Sequence, residues 1–201
     1  MIKWIKYWCG LILLGIGVSM VINANFGSDP ISTIMLGISN ITKTSFGVAS
    51  QIFLISLIII VLLIDKKRLR IGTVIHALIN GSIIGFFLEF SIFNTSLLLR
   101  IASLVFGTVI LSFGIAFYIS ADLGEGALDS LMMALHDKFK LKINIVRIVL
   151  DSSMVICGVI MGAKFNIGSI FVIVATGPCI QFSLSLISKF EEMIFTKNIR
   201  I

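Results

Sequence analysis

Apolar residues run along this chain in blocks close to twenty long, set apart by short polar or basic stretches. Six blocks stand out, at 7–24, 46–64, 72–92, 98–120, 143–162 and 168–188. Each holds 18 to 23 residues. A helix rising about 1.5 Å per residue needs that length to cross a hydrocarbon core of about 30 Å. Two further segments, 30–42 and 127–138, are too short to span. Their apolar positions recur at helical spacing, which predicts two short amphipathic helices, either re-entrant or interfacial.

Composition narrows the class. Hydrophobic residues make up 58% of the 201, charged residues only 13%, and the mean hydropathy is +1.12. A soluble domain carries about a quarter charged residues, so a soluble globular or disordered chain is excluded. Long apolar runs without period-two alternation also exclude an outer-membrane barrel. The net charge of +6 points to basic cytoplasmic loops rather than to nucleic acid. With a cytoplasmic N-terminus, the inside segments hold Lys3, Lys6, Lys66, Lys67, Arg68, Arg70, Lys138, Lys140, Lys142, Lys189, Lys197 and Arg200. The outside segments hold Lys43, Arg100 and Lys164. Twelve against three predicts that both termini are cytoplasmic.

The chain also repeats itself. Ile22-Asn23-Ala24-Asn25-Phe26-Gly27 returns as Ile119-Ser120-Ala121-Asp122-Leu123-Gly124, 97 residues on. Ile31, Ile34, Met35 and Ile38 match Leu128, Leu131, Met132 and Leu135, and Ile71-Gly72-Thr73 matches Ile167-Gly168-Ser169. The first 25 residues have the look of a signal peptide, but a cleaved leader would not recur as an internal span. The whole chain, 1–201, therefore reads as one transmembrane domain of two copies, about 7–92 and 98–188. Each copy is a span, a glycine break, a short helix and two more spans. Three spans per copy is odd, so the copies should enter the membrane from opposite sides. The expected fold is an all-α membrane protein of six transmembrane helices in two inverted three-span repeats. In secondary transporters so built, binding sites lie where broken helices of the two repeats meet. A duplication that only stabilises a helix bundle is the plainer alternative.

At each break, small residues permit a turn and polar residues cap the next helix. The first break offers Asn25, Asp29 and Ser32, with Pro30 at the helix start. The second offers Asp122, Glu125 and Asp129. Arg147 and Asp151 lie in the fifth span, one helical turn apart on one face. Ionisable groups inside spans are costly and are either paired or functional. These eight residues form the candidate substrate-binding set around a polar cavity, and a purely structural Arg147–Asp151 clamp fits the same spacing. Cys9, Cys157 and Cys179 lie in apolar runs and read as buried, unpaired thiols. His76 and His136 have no partners at metal-ligand spacing, so neither a metal nor a cofactor is expected. No catalytic motif is present, and the chain does not read as an enzyme.

The stretch Gly114 to Met132, with Ile145-Val146-Arg147, Ile167-Gly168-Ser169 and Gly177-Pro178, resembles the YczE/YyaS/YitT family of bacterial integral membrane proteins. Ala24 to Pro30 and Ser45-Phe46-Gly47-Val48-Ala49-Ser50 resemble its first-half motifs. The resemblance implies a multi-pass protein of the bacterial cytoplasmic membrane, and some family members are discussed as transporters. It carries over no catalytic set. Where the family tends to place Pro after the second break, this chain has Ala127. The expectation is a small-solute transporter with its site at the repeat interface. The alternatives are the substrate-binding membrane subunit of an ATP-energised vitamin transporter and a non-transporting membrane partner or scaffold. The expected partners are the lipid bilayer, an unidentified small solute or ion, and in a homodimer a second copy; nucleic acid is not among them.

Overall fold

The computed structural model describes residues 2–90 and 96–198. Among them are eight α-helices and no strand: α1 (Ile2–Asn23), α2 (Pro30–Thr42), α3 (Phe46–Asp65), α4 (Ile71–Leu88), α5 (Leu97–Ser120), α6 (Ala127–Phe139), α7 (Ile143–Ile160) and α8 (Ile167–Asn198). The order long, short, long, long occurs twice. Six helices are long and apolar enough to cross a membrane. Most ends fall within a few residues of the expected ones. α1 starts five residues early, α4 ends at Leu88, and α8 runs on to Asn198. Positions 91 and 92 of the expected third span, and Arg200 of the charge count, lie outside the described residues.

Local chemistry sets the boundaries. Asn25 and Asp122 take left-handed φ values of 56° and 53°, and Gly27 and Gly124 follow at 100° and 146°. Glycine carries such angles without a Cβ penalty, so the chain turns sharply after α1 and α5. Asp29 then caps α2 by accepting from the Ser32 amide at 3.1 Å, with Pro30 in the first turn. Gly126 occupies the corresponding position before α6 and has no side chain to cap with. Both short helices close on a left-handed lysine, Lys43 and Lys140, again 97 residues apart. Ser45 and Ser96 cap α3 and α5.

α1 and α5 pack against each other at the centre and are the most deeply embedded helices. They run antiparallel. Gly10 faces Tyr118 and the Gly114 carbonyl, Gly17 faces Leu111, and Ser103 Oγ donates to the Met20 carbonyl at 2.9 Å. Small residues let two apolar helices approach this closely where lipid gives no hydrophobic drive. α4 packs on α1 and α8 on α5, while α2 lies on α7 and α6 on α3. Tyr7, Leu11, Val18, Val21, Leu104, Leu111 and Val172 fill the core.

The bundle has two ends, defined by α1. At the proximal end, where α1 begins, Lys6 pairs with Glu191 and Arg68 with Asp137. At the distal end lie Asn25, Arg100 and Lys164. The 22 residues of α1 put about 33 Å between the ends. Cys9 and Cys157 are exposed rather than buried, among the exposed side chains of Ile5, Trp8, Ile12, Ile156 and Ile160, and Cys179 is half-buried.

Candidate solute site

The Arg147 guanidinium joins two elements. Its Nε donates to Asp151 Oδ2 at 3.0 Å, one turn along α7, and its Nη1 donates to Asp129 Oδ1 at 3.4 Å, in the first turn of α6. The Tyr118 hydroxyl, from α5, lies beside Gly126 and Asp129. A third carboxylate approaches from the other copy. α2 lies along α7 in the same direction, with Gly158 against the Thr33 carbonyl and Gly37 against Met161. The start of α2 therefore points toward Asp151, and Asp29 lies within electrostatic reach of it. Asp29 Oδ2 caps the helix, but Oδ1 is buried and has no partner among the described residues. Two carboxylates, Asp129 and Asp151, thus meet the guanidinium, and a third, Asp29, stands near Asp151. Asp29 and Asp129 lie at the starts of two short helices whose dipoles favour negative charge.

The remaining candidates lie elsewhere. Asp122 is at the proximal end, where Arg70 donates to its Oδ1 at 2.7 Å and to its carbonyl at 2.8 Å, and Lys3 lies 3.2 Å from Oδ2. The Arg70 hydrogen bond, with Lys3 behind it, holds the Asp122 carboxyl below the usual carboxylate range. Asn25 is at the distal end, so no single cavity contains both. Glu125 is exposed and takes part through its carbonyl, which accepts from Thr73 Oγ1 at 2.7 Å. Ser32 is buried beside Asp29. Arg70, Lys3, Arg100, Lys164 and Tyr118 were not singled out from sequence as site residues. For Lys3 and Arg100 a signal existed: they stand 97 residues apart, each facing the other copy's break.

The two copies differ most between their last two helices. α3 packs closely on α4, with Gly81 against Ser50 and the Gly47 carbonyl. Among the described residues α7 and α8 make no comparable contact, and a Cβ on Gly177, the counterpart of Gly81, would meet nothing within 4 Å. The substitution pattern supplies a reason. Gly47 and Ser50 correspond to Asn144 and Arg147, and their bulk and charge do not fit a crossing built on glycine and serine. The gap leaves α7 and α8 the least buried of the six long helices.

Eight helices, six of membrane-spanning length, with charge gathered at few points, define a multi-pass α-helical membrane protein. A family of unknown function (DUF6198) matches residues 1–185, and the chain belongs to this family, that of YczE and YyaS. It is 31% identical over 193 residues to an uncharacterized membrane protein YczE of Bacillus subtilis (strain 168), covering 91% of this chain and 86% of that one. It is 25% identical over 204 residues to the uncharacterized protein YyaS of the same organism, covering 98% of each. An uncharacterized protein of Haemophilus influenzae (strain ATCC 51907 / DSM 11121 / KW20 / Rd) is 28% identical over 188 residues, 93% of this chain and 85% of that one. No solved structure matches.

Proposed function

We propose that the chain is a small-solute transporter of the bacterial cytoplasmic membrane, built from two inverted repeats, with both termini cytoplasmic. It acts as a carrier and not as an enzyme. Solute binds where the starts of α2 and α6 meet α7, among Asp29, Asp129, Arg147 and Asp151. The carrying observation is the partly exposed Arg147 cluster, where Asp129 of α6 and Asp151 of α7 pair with the guanidinium and Asp29, the cap of α2, stands near Asp151. A stabilising clamp alone would need one carboxylate; here two pair with Arg147, a third lies near Asp151, and among the described residues one Asp29 oxygen is buried without a partner. Antiparallel crossing of α1 and α5, which correspond at the 97-residue offset, supports the inversion. The packed α3–α4 pair and the parted α7–α8 pair support alternating access, with each half passing through both arrangements.

The test is a melting screen of small solutes on purified protein, followed by counterflow of any hit in liposomes holding this protein alone. The expected result is a solute that raises the melting temperature and exchanges across the bilayer, with both effects lost in Asp129→Asn and Asp151→Asn. Uptake that needs a co-purified ATPase would instead establish the vitamin-transporter subunit. A screen with neither response would establish the scaffold.

A further inference from the structure

The two breaks are gripped alike but charged differently. At the proximal break, two cations hold a carboxylate: Arg70 and Lys3 on Asp122. At the distal break, one cation holds the side-chain amide at the corresponding position and a second holds the backbone carbonyls beside it. Lys164 Nζ donates to Asn25 Oδ1 at 3.1 Å, while Arg100 donates to the Ala24 carbonyl at 2.9 Å and the Asn25 carbonyl at 3.2 Å. Arg100 is the 97-residue counterpart of Lys3, and Asn25 that of Asp122. The Arg100 guanidinium also lies over the Phe26 ring, 4.6 Å from its centroid. Among the described residues neither Arg100 nor Lys164 makes an ion pair. The carboxylate has thus been exchanged for a neutral group; one cation is kept as Arg100, Arg70 is replaced by Asn166, and the second cation is Lys164 from the segment between α7 and α8.

Beside Lys164 the surface is concave and partly open. A cavity of about 260 Å³ opens there, lined by Asn25, Ser28, Asn40 and Lys164 on its polar side and by Ile22 and Leu36 on its apolar side. The cavity takes Lys164 into its lining, with Arg100 behind it on the Asn25 carbonyl, holds amide and hydroxyl donors, and has no carboxylate in its lining. We infer that this distal cavity binds a small oxyanion, a phosphate or carboxylate group that supplies the charge Asp122 supplies at the other end. Lys164 is the point charge that draws the anion in, and the Asn25 and Asn40 amides orient it. The volume fits a free inorganic or small organic anion, and the same donors fit the phosphate of a lipid headgroup. Its lining shares no residue with the Arg147 cluster, and the inference does not rest on transport.

The experiment uses the full chain, purified in neutral detergent and stripped of lipid. Inorganic phosphate at about ten times its Kd should raise the melting temperature by roughly 2–5 °C, and chloride at equal ionic strength should not. Asn25→Asp restores the missing carboxylate and keeps a residue that tolerates left-handed backbone. It should weaken the phosphate response by about tenfold or more and melt higher than wild type without phosphate. Lys164→Gln should weaken the response without raising the phosphate-free melting temperature. In a parallel arm, native mass spectrometry should show phosphatidylglycerol retained by wild type and lost from Asn25→Asp if the anion is a headgroup. A response in either arm that both substitutions abolish supports the site and names its source. Absence of both responses in wild type, or variants that respond like wild type, overturns it.

Discussion

Gly17 of α1 packs on Leu111 of α5, and 97 residues on, Gly114 packs on Leu14. The pairs exchange partners: each glycine's counterpart meets the counterpart of its own neighbour. Gly10 and Gly107 repeat the relation, the first against the Gly114 carbonyl and the second against the Gly17 carbonyl, at 2.9 and 3.0 Å from a would-be Cβ. Self-complementary contact of this kind is what a two-fold axis produces between identical subunits, and here it relates two stretches of one chain.

Crowding at this crossing predicts an ordered set of costs. Gly17→Ala and Gly114→Ala should each destabilise by about 1–3 kcal/mol, because the new methyl meets backbone that cannot shift freely. Gly81→Ala should follow them, since Ser50 and the Gly47 carbonyl stand in its way. Gly177→Ala should be neutral or slightly stabilising, as it meets open space and removes a flexible residue from a helix. Melting of the four variants in one detergent checks the order.

Removing the Arg147 side chain leaves Asp129 and Asp151 without their shared counter-charge. The side chain is 49% accessible, so the loss should be about 1–3 kcal/mol, below the about 3–5 kcal/mol of a fully buried pair. Arg147→Lys should recover only part of it, because one ammonium cannot copy the fork that reaches two carboxylates. A double-mutant cycle with Asp151→Ala should show coupling at or above about 0.5 kcal/mol.

Much of this was legible in the chain itself. The six apolar blocks, the two short helices and the 97-residue echo come from periodicity, and periodicity survives folding because lipid and core both select for it. The Arg147–Asp151 pair was legible because four residues make one helical turn. Asp122 was not: its partners are Lys3 and Arg70, and no local spacing brings α1, α4 and the second turn together. The gap between α7 and α8 was hidden for a similar reason. Arg147 in place of Ser50 is visible in sequence, but its effect on Gly177 appears only once the helices are packed.

Asp122 carries a pH signature. Its carboxyl is held below the usual range by Arg70 and Lys3, so its contribution is present above the unfolded value of about 3.9 and fades as pH falls through the lower folded value. Melting temperature should drop on acidification below about pH 4, and Asp122→Asn should flatten part of that drop. The group is exposed, so the change should be small and weaker in high salt.

Orientation follows from the basic residues at the proximal end. A cysteine at Lys67, beside the Arg68–Asp137 pair, should resist an impermeant thiol reagent in intact cells. A cysteine at Ser96, the α5 cap at the distal end, should react. The opposite pattern would invert the assignment.

The central claim is that two inverted halves alternate between packed and parted arrangements around the Arg147 cluster. Ile52 on α3 and Leu78 on α4 correspond to Val149 on α7 and Val174 on α8, and all four are exposed. Spin labels at the 52/78 and 149/174 pairs, measured in lipid bilayers, give the separations of the two helix pairs directly. The account predicts two populations for each pair, short and long, with the 52/78 pair opening as the 149/174 pair closes. One fixed distance for each pair, unchanged by solute or pH, would contradict it.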